Sequence, residues 1–398
     1  MMCSLYSVPA EWRNVKLKEV ATIIMGQSPP SSTYNETGEG LPFLQGKAKF
    51  GLVYPKPQKY TTKPLKIAEK GDILIAVRAP VGDVNIAPYK IAIGRGLAAI
   101  RPKTNKVDTF YLFYYLQFIK PYLENLGKGS TFKAITKRDL ENLTTVLPPL
   151  DEQRKIARIL YTVDEVIAKT DTIISRVEEL RRALLDYLMT HGVGHREYKE
   201  TEIGKIPRKW KIVKLSSVAR IIMGQSPPSS TYNDKGIGLP FMQGKAEFGR
   251  IYPSPKKYTS RPLKIAEKGD ILIAVRAPVG DVNIAPYKLC IGRGLAAIRP
   301  VKDVNTLFLF YYLIYAKPRL EAKAKGSTFK AITKTDLEGF LVPIPPLDEQ
   351  EFIGALLYNI DLLVISEEKR KVILQKMKEQ LMNLLLTGKV RVKDLPID

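Results

Sequence analysis

IIMGQSPPSSTYN, residues Ile23–Asn35, returns letter for letter as Ile221–Asn233. Pro64–Lys90 returns unchanged as Pro262–Lys288, and Ile93–Pro102 as Ile291–Pro300. The offset is 198 residues through these matches and 197 after a one-residue deletion near position 105. A duplication this faithful predicts two copies of one binding or catalytic surface. It divides 398 residues into two repeats, each long enough for its own core.

Each repeat has two parts. The first part (9–148, then 207–345) is rich in Gly, Pro, Tyr and short β-like runs. Ile73–Val77, bounded by Gly71-Asp72 and Ala79-Pro80, predicts a strand, as does Leu97–Ile100. Thr109–Gln117 reads as a buried helix or a strand. Thr136 with Asp139, and Thr333 with Asp336, have the spacing of a capping box at the start of a short helix. Interleaved strands and helices make each copy α/β or α+β.

The second part begins at Pro148-Pro149 and again at Pro345-Pro346, each followed by LDEQ, with acids where a helix N-terminus favours them. Asp151 to Leu188 runs about 38 residues without Gly or Pro, or about 57 Å of helix. Ile156, Leu160, Val163, Ile167, Ile174, Val177, Leu184 and Leu188 step by 4 and 3 along it, interrupted by Thr170 and Arg181. The copy from Asp348 to Leu386 repeats the step at Ile353, Leu357, Ile360, Val364, Leu374, Met377, Leu381 and Leu385, broken by Glu367, Lys371 and Lys378. The alternatives are an amphipathic helix packed on a globular part or a coiled-coil seam. The length favours the coiled coil. Its natural partner is the other helix of the same chain, and the connectivity makes the pair antiparallel. The expectation is therefore a duplicated α/β (α+β) protein with two globular parts at opposite ends of a pseudo-two-fold, intramolecular antiparallel coiled coil. The predicted segments are 1–148, 149–190, a junction at 191–197, 198–345, 346–388 and a tail at 389–398.

Net charge is +23 and the pI about 9.7, a balance that favours a polyanion, above all nucleic acid. No stretch reads as transmembrane or as a signal peptide, so the expected compartment is the cytoplasm with no membrane partner. Cys3 and Cys290 are unmatched between copies, and His191 and His195 are the only histidines, so no metal site is expected. No catalytic set stands out, and a binding module is favoured over an enzyme.

Candidate DNA contacts lie in polar, turn-rich or cationic segments. They are Gln27, Ser28, Ser31, Ser32 and Tyr34; Gln45 and Lys47; Arg78 past a strand; Arg95 between two glycines; and Lys128, Ser130, Thr131 and Lys133. Their copies are Gln225, Ser226, Ser229, Ser230, Tyr232, Gln243, Lys245, Arg276, Arg293, Lys325, Ser327, Thr328 and Lys330. Buried ion pairs are the alternative for Arg78 and Arg95, and a plain turn cluster for SPPSSTYN. Exchanges such as Lys49 for Glu247, Leu52 for Arg250 and Lys56 for Ser254 mark solvated positions.

The chain resembles the DNA-specificity subunit of type I restriction-modification systems over essentially its whole length. Pro148–Gln153 and Pro345–Gln350 look like that family's PPLxEQ helix entry. Thr201–Pro207 with Trp210 looks like its TEIGxIPxxW domain entry, and Leu386–Val392 like its LLTGKVRV segment. The first copy keeps Val8-Pro9 and Trp12 without TEIG, and Met189–Gly192 replaces LTGKVRV after the first helix. The resemblance implies a non-catalytic subunit that binds double-stranded DNA; two near-identical copies related by a pseudo-two-fold make the expected target bipartite, an interrupted inverted repeat. The resemblance also implies two modification subunits that methylate adenine N6 and two motor-nuclease restriction subunits. No cofactor is expected on this chain; S-adenosylmethionine, ATP and Mg belong to those partners. The alternative is a coiled-coil adaptor that binds nucleic acid without sequence preference.

Overall fold

The computed structural model describes residues 9–126, 134–324 and 331–393. Two compact units form, one of Met1–Thr172 with Arg370–Asp398, the other of Ile173–Lys369.

In the first unit Ile73–Ala76 lies inside a four-stranded antiparallel sheet ordered Ala21–Met25, Leu97–Pro102, Ile73–Ala76, Val84–Ile86. Its side chains alternate between two cores. Ile73 and Ile75 join Tyr111, Leu112 and Leu160, whereas Leu74 and Ala76 join Leu44, Ile91 and Ile93. Burial on both faces explains an unbroken apolar run. The smaller core lies against five short strands ordered Tyr34–Asn35, Lys59–Thr61, Leu41–Leu44, Ile91–Ile93, Ile67–Ala68, in which only Leu41–Leu44 and Ile91–Ile93 run parallel. The ambiguous Thr109 run is a helix, Thr109–Phe118, capped by the Asp108 carboxylate accepting from Tyr111 N at 2.9 Å. Tyr111 to Leu116 are all buried, so no amphipathic period marks it. Both capping boxes are present, at Thr136/Asp139 and Thr333/Asp336.

The second unit repeats this plan with the sheet orders 219–223, 295–300, 271–274, 282–284 and 232–233, 257–259, 239–242, 289–291, 265–266. Its buried helix Thr306–Tyr315 is capped by Asn305.

The long helices are Leu150–His191 and Leu347–Leu386. Each unit takes a portion of both and pairs them antiparallel. In the first, Lys371 meets Asp171 at 2.6 Å and Lys378 meets Asp164 at 2.7 Å, one number rising as the other falls. In the second, Arg181 meets Asp361 at 2.5 Å.

Two seam expectations change. The helices do not bury their stripe against each other alone. Ile156 and Leu160 share one core with Trp12, Tyr111 and Leu385, and Ile353 and Leu357 share another with Leu188, Trp210 and Phe308. Met377 is 40% exposed and leaves the seam; Lys378 takes its place. The Lys378 ammonium also donates to Gln117 Oε1 at 3.3 Å, so a long aliphatic stem lies along the apolar stripe while its charge is paired. Val163, Ile167, Leu188, Val364 and Leu385 are buried as expected; Ile174, Val177, Leu184, Ile360, Leu374 and Leu381 are half-buried. No helix among the described residues is long and apolar enough to cross a membrane.

A glutamate near the start of each long helix, buried at Glu152 and half-buried at Glu349, closes its unit. Glu152 accepts from the Trp12 indole at 3.1 Å and from Arg391 at 2.7 and 2.8 Å. Gly388 must turn beside Pro9 here, at φ 73°, because an added Cβ would lie 2.5 Å from the proline ring. In the second unit Glu349 accepts from Trp210 at 3.0 Å and meets His195 Nε2 at 3.0 Å. The divergent GKVR and HGVGH segments thus serve one purpose.

Burial raises the cost of charging Glu152, but Arg391 and Trp12 outweigh it and hold its carboxyl below the ordinary range. Its contribution to stability is therefore complete above the unfolded carboxylate pKa and lost as pH falls through the depressed one. Arg391→Ala should cost about 1.5–3 kcal/mol at neutral pH, the scale of a charged hydrogen bond. Denaturant titrations across pH check this: the gap to the unsubstituted chain should shrink in acid.

Candidate nucleic-acid interface

Three chain segments of the first unit converge at one end of its two sheets. Gly26 N donates to Leu97 O at 2.9 Å and Gln27 N to Ile93 O at 3.0 Å. Gly94 N donates to Leu44 O at 2.8 Å, and Gly96 N to Gln45 O at 3.2 Å. Side chains finish the join. Ser28 Oγ accepts from Arg95 N at 3.1 Å and donates to Gln45 Oε1 at 3.0 Å. The glycines are needed for this approach, since a Cβ on Gly26 would lie 2.2 Å from Gly94 O and one on Gly94 2.8 Å from Gln45 Oε1. Val77 N donates to Gly96 O at 3.0 Å, which brings Arg78 to the same edge, bridged to Ala134.

Gln27, Ser28, Gln45, Arg78 and Arg95 are thereby gathered into one face. All but half-buried Ser28 are exposed. The second unit builds the same face: Gln225 N to Ile291 O at 2.9 Å, Ser226 Oγ to Gln243 Oε1 at 2.9 Å, Arg293 N to Ser226 Oγ at 3.2 Å, and Arg276 bridged to Ala331. Among the described residues Arg78, Arg95, Arg276 and Arg293 form no ion pair, so the buried-pair alternative fails for all four. Their charge stays available to an anion.

Other predicted residues have different work. The Tyr34 hydroxyl donates to Pro29 O at 2.9 Å and its ring lies 4.7 Å from that of Phe43, so it braces the loop; Tyr232 does the same with Pro227 and Phe241. Lys47 is consumed by Asp83, which Lys120 also approaches at 2.6 Å, and Lys245 pairs in the same way with Asp281 beside Lys317. Burial opposes the charge of Asp83, but Lys120 and Lys47 hold its carboxyl below the usual range. Ser31, Ser32, Ser229 and Ser230 are exposed in the short helical turns Ser31–Thr33 and Ser229–Thr231. Lys128, Ser130, Thr131, Lys133, Lys325, Ser327, Thr328 and Lys330 lie outside the described residues.

Arg250, expected to be solvated, reaches Asp361 at 3.1 Å, Glu178, and Glu368 at 3.5 Å. The accompanying change of Glu178 to Gln375 was the available signal.

Residues 9–179 and again 207–376 match the type I restriction modification DNA specificity domain family. A Methanocaldococcus jannaschii chain named as the specificity subunit of the type I restriction enzyme MjaX is 40% identical, across 97% of this chain and 95% of that one. The MjaVIII specificity subunit of the same organism is 29% identical over 98% and 95%. Among solved structures, one concerned with complex assembly and conformational transition of a type I restriction-modification system contains a chain 31% identical, with a TM-score of 0.61, covering 97% of this chain and 100% of that one. The S subunit from M. genitalium shares the fold at a TM-score of 0.67 and 17% identity, over 95% and 96%.

Gly26→Ala should destabilise the first unit by about 1–3 kcal/mol, because its clashes are with backbone. Gly46→Ala is the control, with nothing within 4 Å of the added carbon. Thermal melts of both substitutions check the requirement for close approach.

Proposed function

Because the chain belongs to the DNA-specificity subunit family of type I restriction-modification systems, we propose that its two matched faces read one short sequence on each strand of duplex DNA. The target is then an interrupted inverted repeat. The observation that carries this reading is the repetition of the face itself. Gln27, Ser28, Gln45, Arg78 and Arg95 recur as Gln225, Ser226, Gln243, Arg276 and Arg293, in the same hydrogen-bonded frame and with their arginines in no ion pair among the described residues. Arginine and glutamine side chains match the major-groove edges of guanine and adenine, and the arginines equally match phosphate.

In this reading the chain recognises and its partners react. Two modification subunits carry S-adenosylmethionine and methylate adenine N6, and two restriction subunits use ATP and Mg to translocate and cleave. A doubled docking surface supports paired partners. Leu180 and Tyr187 are exposed at 53% and 54% on the first long helix, and the matched Met377 and Leu384 at 40% and 36% on the second. Each pair is seven residues apart and so lies along one helix face.

Selection from random duplexes by the assembled complex tests the proposal. The expected product is a half-site, a spacer and the inverted complement of that half-site. Two unrelated half-sites, or competition by random duplex as strong as by any selected one, would refute it.

Arg78→Ala with Arg276→Ala should leave the fold intact and weaken recognition. If the arginines read bases, each loss removes about 1–3 kcal/mol of discrimination. If they touch phosphate, binding falls for all sequences alike and the salt dependence becomes shallower. Fluorescence anisotropy on cognate and scrambled duplexes over a salt series distinguishes the two. Unchanged binding would remove both residues from the interface.

A further inference from the structure

The two reading domains are fastened to their helices by different side chains: Lys378 reaches Gln117 in the first unit, where the second has Arg181 and Ile314, and a further difference lies at one matched pair of loop positions. In both units the loop that carries the pair is anchored identically. Buried Asn85 clamps Gly51 through its backbone N–H at 3.0 Å and carbonyl at 2.9 Å, and Asn283 clamps Gly249 at the same distances. In both, a loop tyrosine faces a helix tyrosine, Tyr54 with Tyr161 and Tyr252 with Tyr358, the latter at 3.1 Å. The next residue after the clamped glycine differs. It is Leu52 in the first copy, 40% exposed, and Arg250 in the second.

Arg250 extends from its fixed base to both long helices. It meets Glu178 on one, and Asp361 at 3.1 Å and Glu368 at 3.5 Å on the other. A planar guanidinium can bridge several carboxylates at once. The surroundings have changed with it. The first unit has Gln375 where the second has Glu178, and Asp171 where it has Glu368. In the first unit Asp171 pairs with Lys371 at 2.6 Å and Asp164 with Lys378 at 2.7 Å, and the matched position Leu52 carries no charge to reach either. There a cleft of about 980 Å³ stands open between reader and helices, lined by Leu52, Lys47, Gln117, Ile167, Gln375 and Lys378 among others. The matched hollow beside Lys245 and Asp281 measures about 350 Å³, and no residue of either long helix lines it.

We infer that Arg250 is a positioning residue that holds the second reading domain against its helices in a reading-ready pose, whereas the first domain closes over its cleft only as DNA binds. This rests on the DNA-reading function proposed above. The asymmetry is independent of the bases read, since the reading faces themselves are alike. The second half-site is engaged by a face already positioned, and the first face, built alike, is positioned at the moment of binding.

Hydrogen–deuterium exchange on the full chain tests this without and with duplex. Free protein should exchange amides of residues 47–56 roughly tenfold faster than those of 245–254, as expected for a less firmly packed segment. Arg250→Leu should bring 245–254 to the faster rate. Leu52→Arg with Gln375→Glu should slow 47–56, which keeps the test open if Arg250→Leu fails to fold. Adding the selected duplex should protect 47–56 and leave 245–254 nearly unchanged; in Arg250→Leu both segments should gain protection. Equal exchange of the two segments in the free chain, or no response of 245–254 to Arg250→Leu, overturns the inference. Failure to select any duplex would overturn the DNA reading, while the DNA-free comparison still decides the role of Arg250.

Discussion

Two buried carboxylates, Asp164 and Asp361, tie each reading domain to its pair of helices. Each accepts a tyrosine hydroxyl from the core helix of the reader at 2.8 Å, Tyr114 in one unit and Tyr311 in the other. Each also pairs with a cation from the opposing long helix, Lys378 or Arg181. A carboxylate out of water is costly unless paired and hydrogen-bonded. Sliding the opposing helix would draw the cation away from the aspartate while its tyrosine stayed in place. The pair therefore sets the antiparallel register and the height at which the reader packs, a use for which buried ionic groups are suited even where they add little net stability. Burial and the neighbouring aspartate push the Tyr114 and Tyr311 hydroxyls well above their ordinary pKa, so both remain donors.

From that fixed base, backbone rather than side-chain packing shapes the reading face. Glycines at 26, 94 and 96 let three segments approach to hydrogen-bond distance, and Ser28 ties two of them together. The cations on this face differ from nearby lysines of the same formal charge. Arg78 and Arg95 are exposed and without an ion pair among the described residues, whereas Lys47 is spent on Asp83. The field offered to a polyanion is therefore more local than a net charge of +23 suggests. The structural relatives at 31% and 17% identity share the fold over nearly their whole length.

Much of this was legible in the chain. The repeat announced two copies of one domain, Ile73–Val77 a strand, Thr136 with Asp139 a capped helix, and the unbroken runs after each LDEQ the long helices. These signals are local: alternation, capping and helical period are written within a few residues of where they act. Glycine-flanked Arg95 and strand-terminal Arg78 were legible as exposed cations because a cation beside a turn has few apolar neighbours to hide it.

What the sequence by itself determined is the duplication, the element types, the antiparallel logic of the helices and the polyanion-seeking charge. Tertiary structure alone decided which polar groups are free. Lys378 rather than Met377 enters the seam because Asp164, 214 positions earlier, receives its charge. Tyr34 is spent on Pro29, Lys47 on Asp83, and Arg250 on acids of two helices. A charge or hydroxyl has the same identity whether paired or exposed. Its partner is chosen by chain segments that meet only on folding, and that choice separates residues that hold the reader from residues that can read.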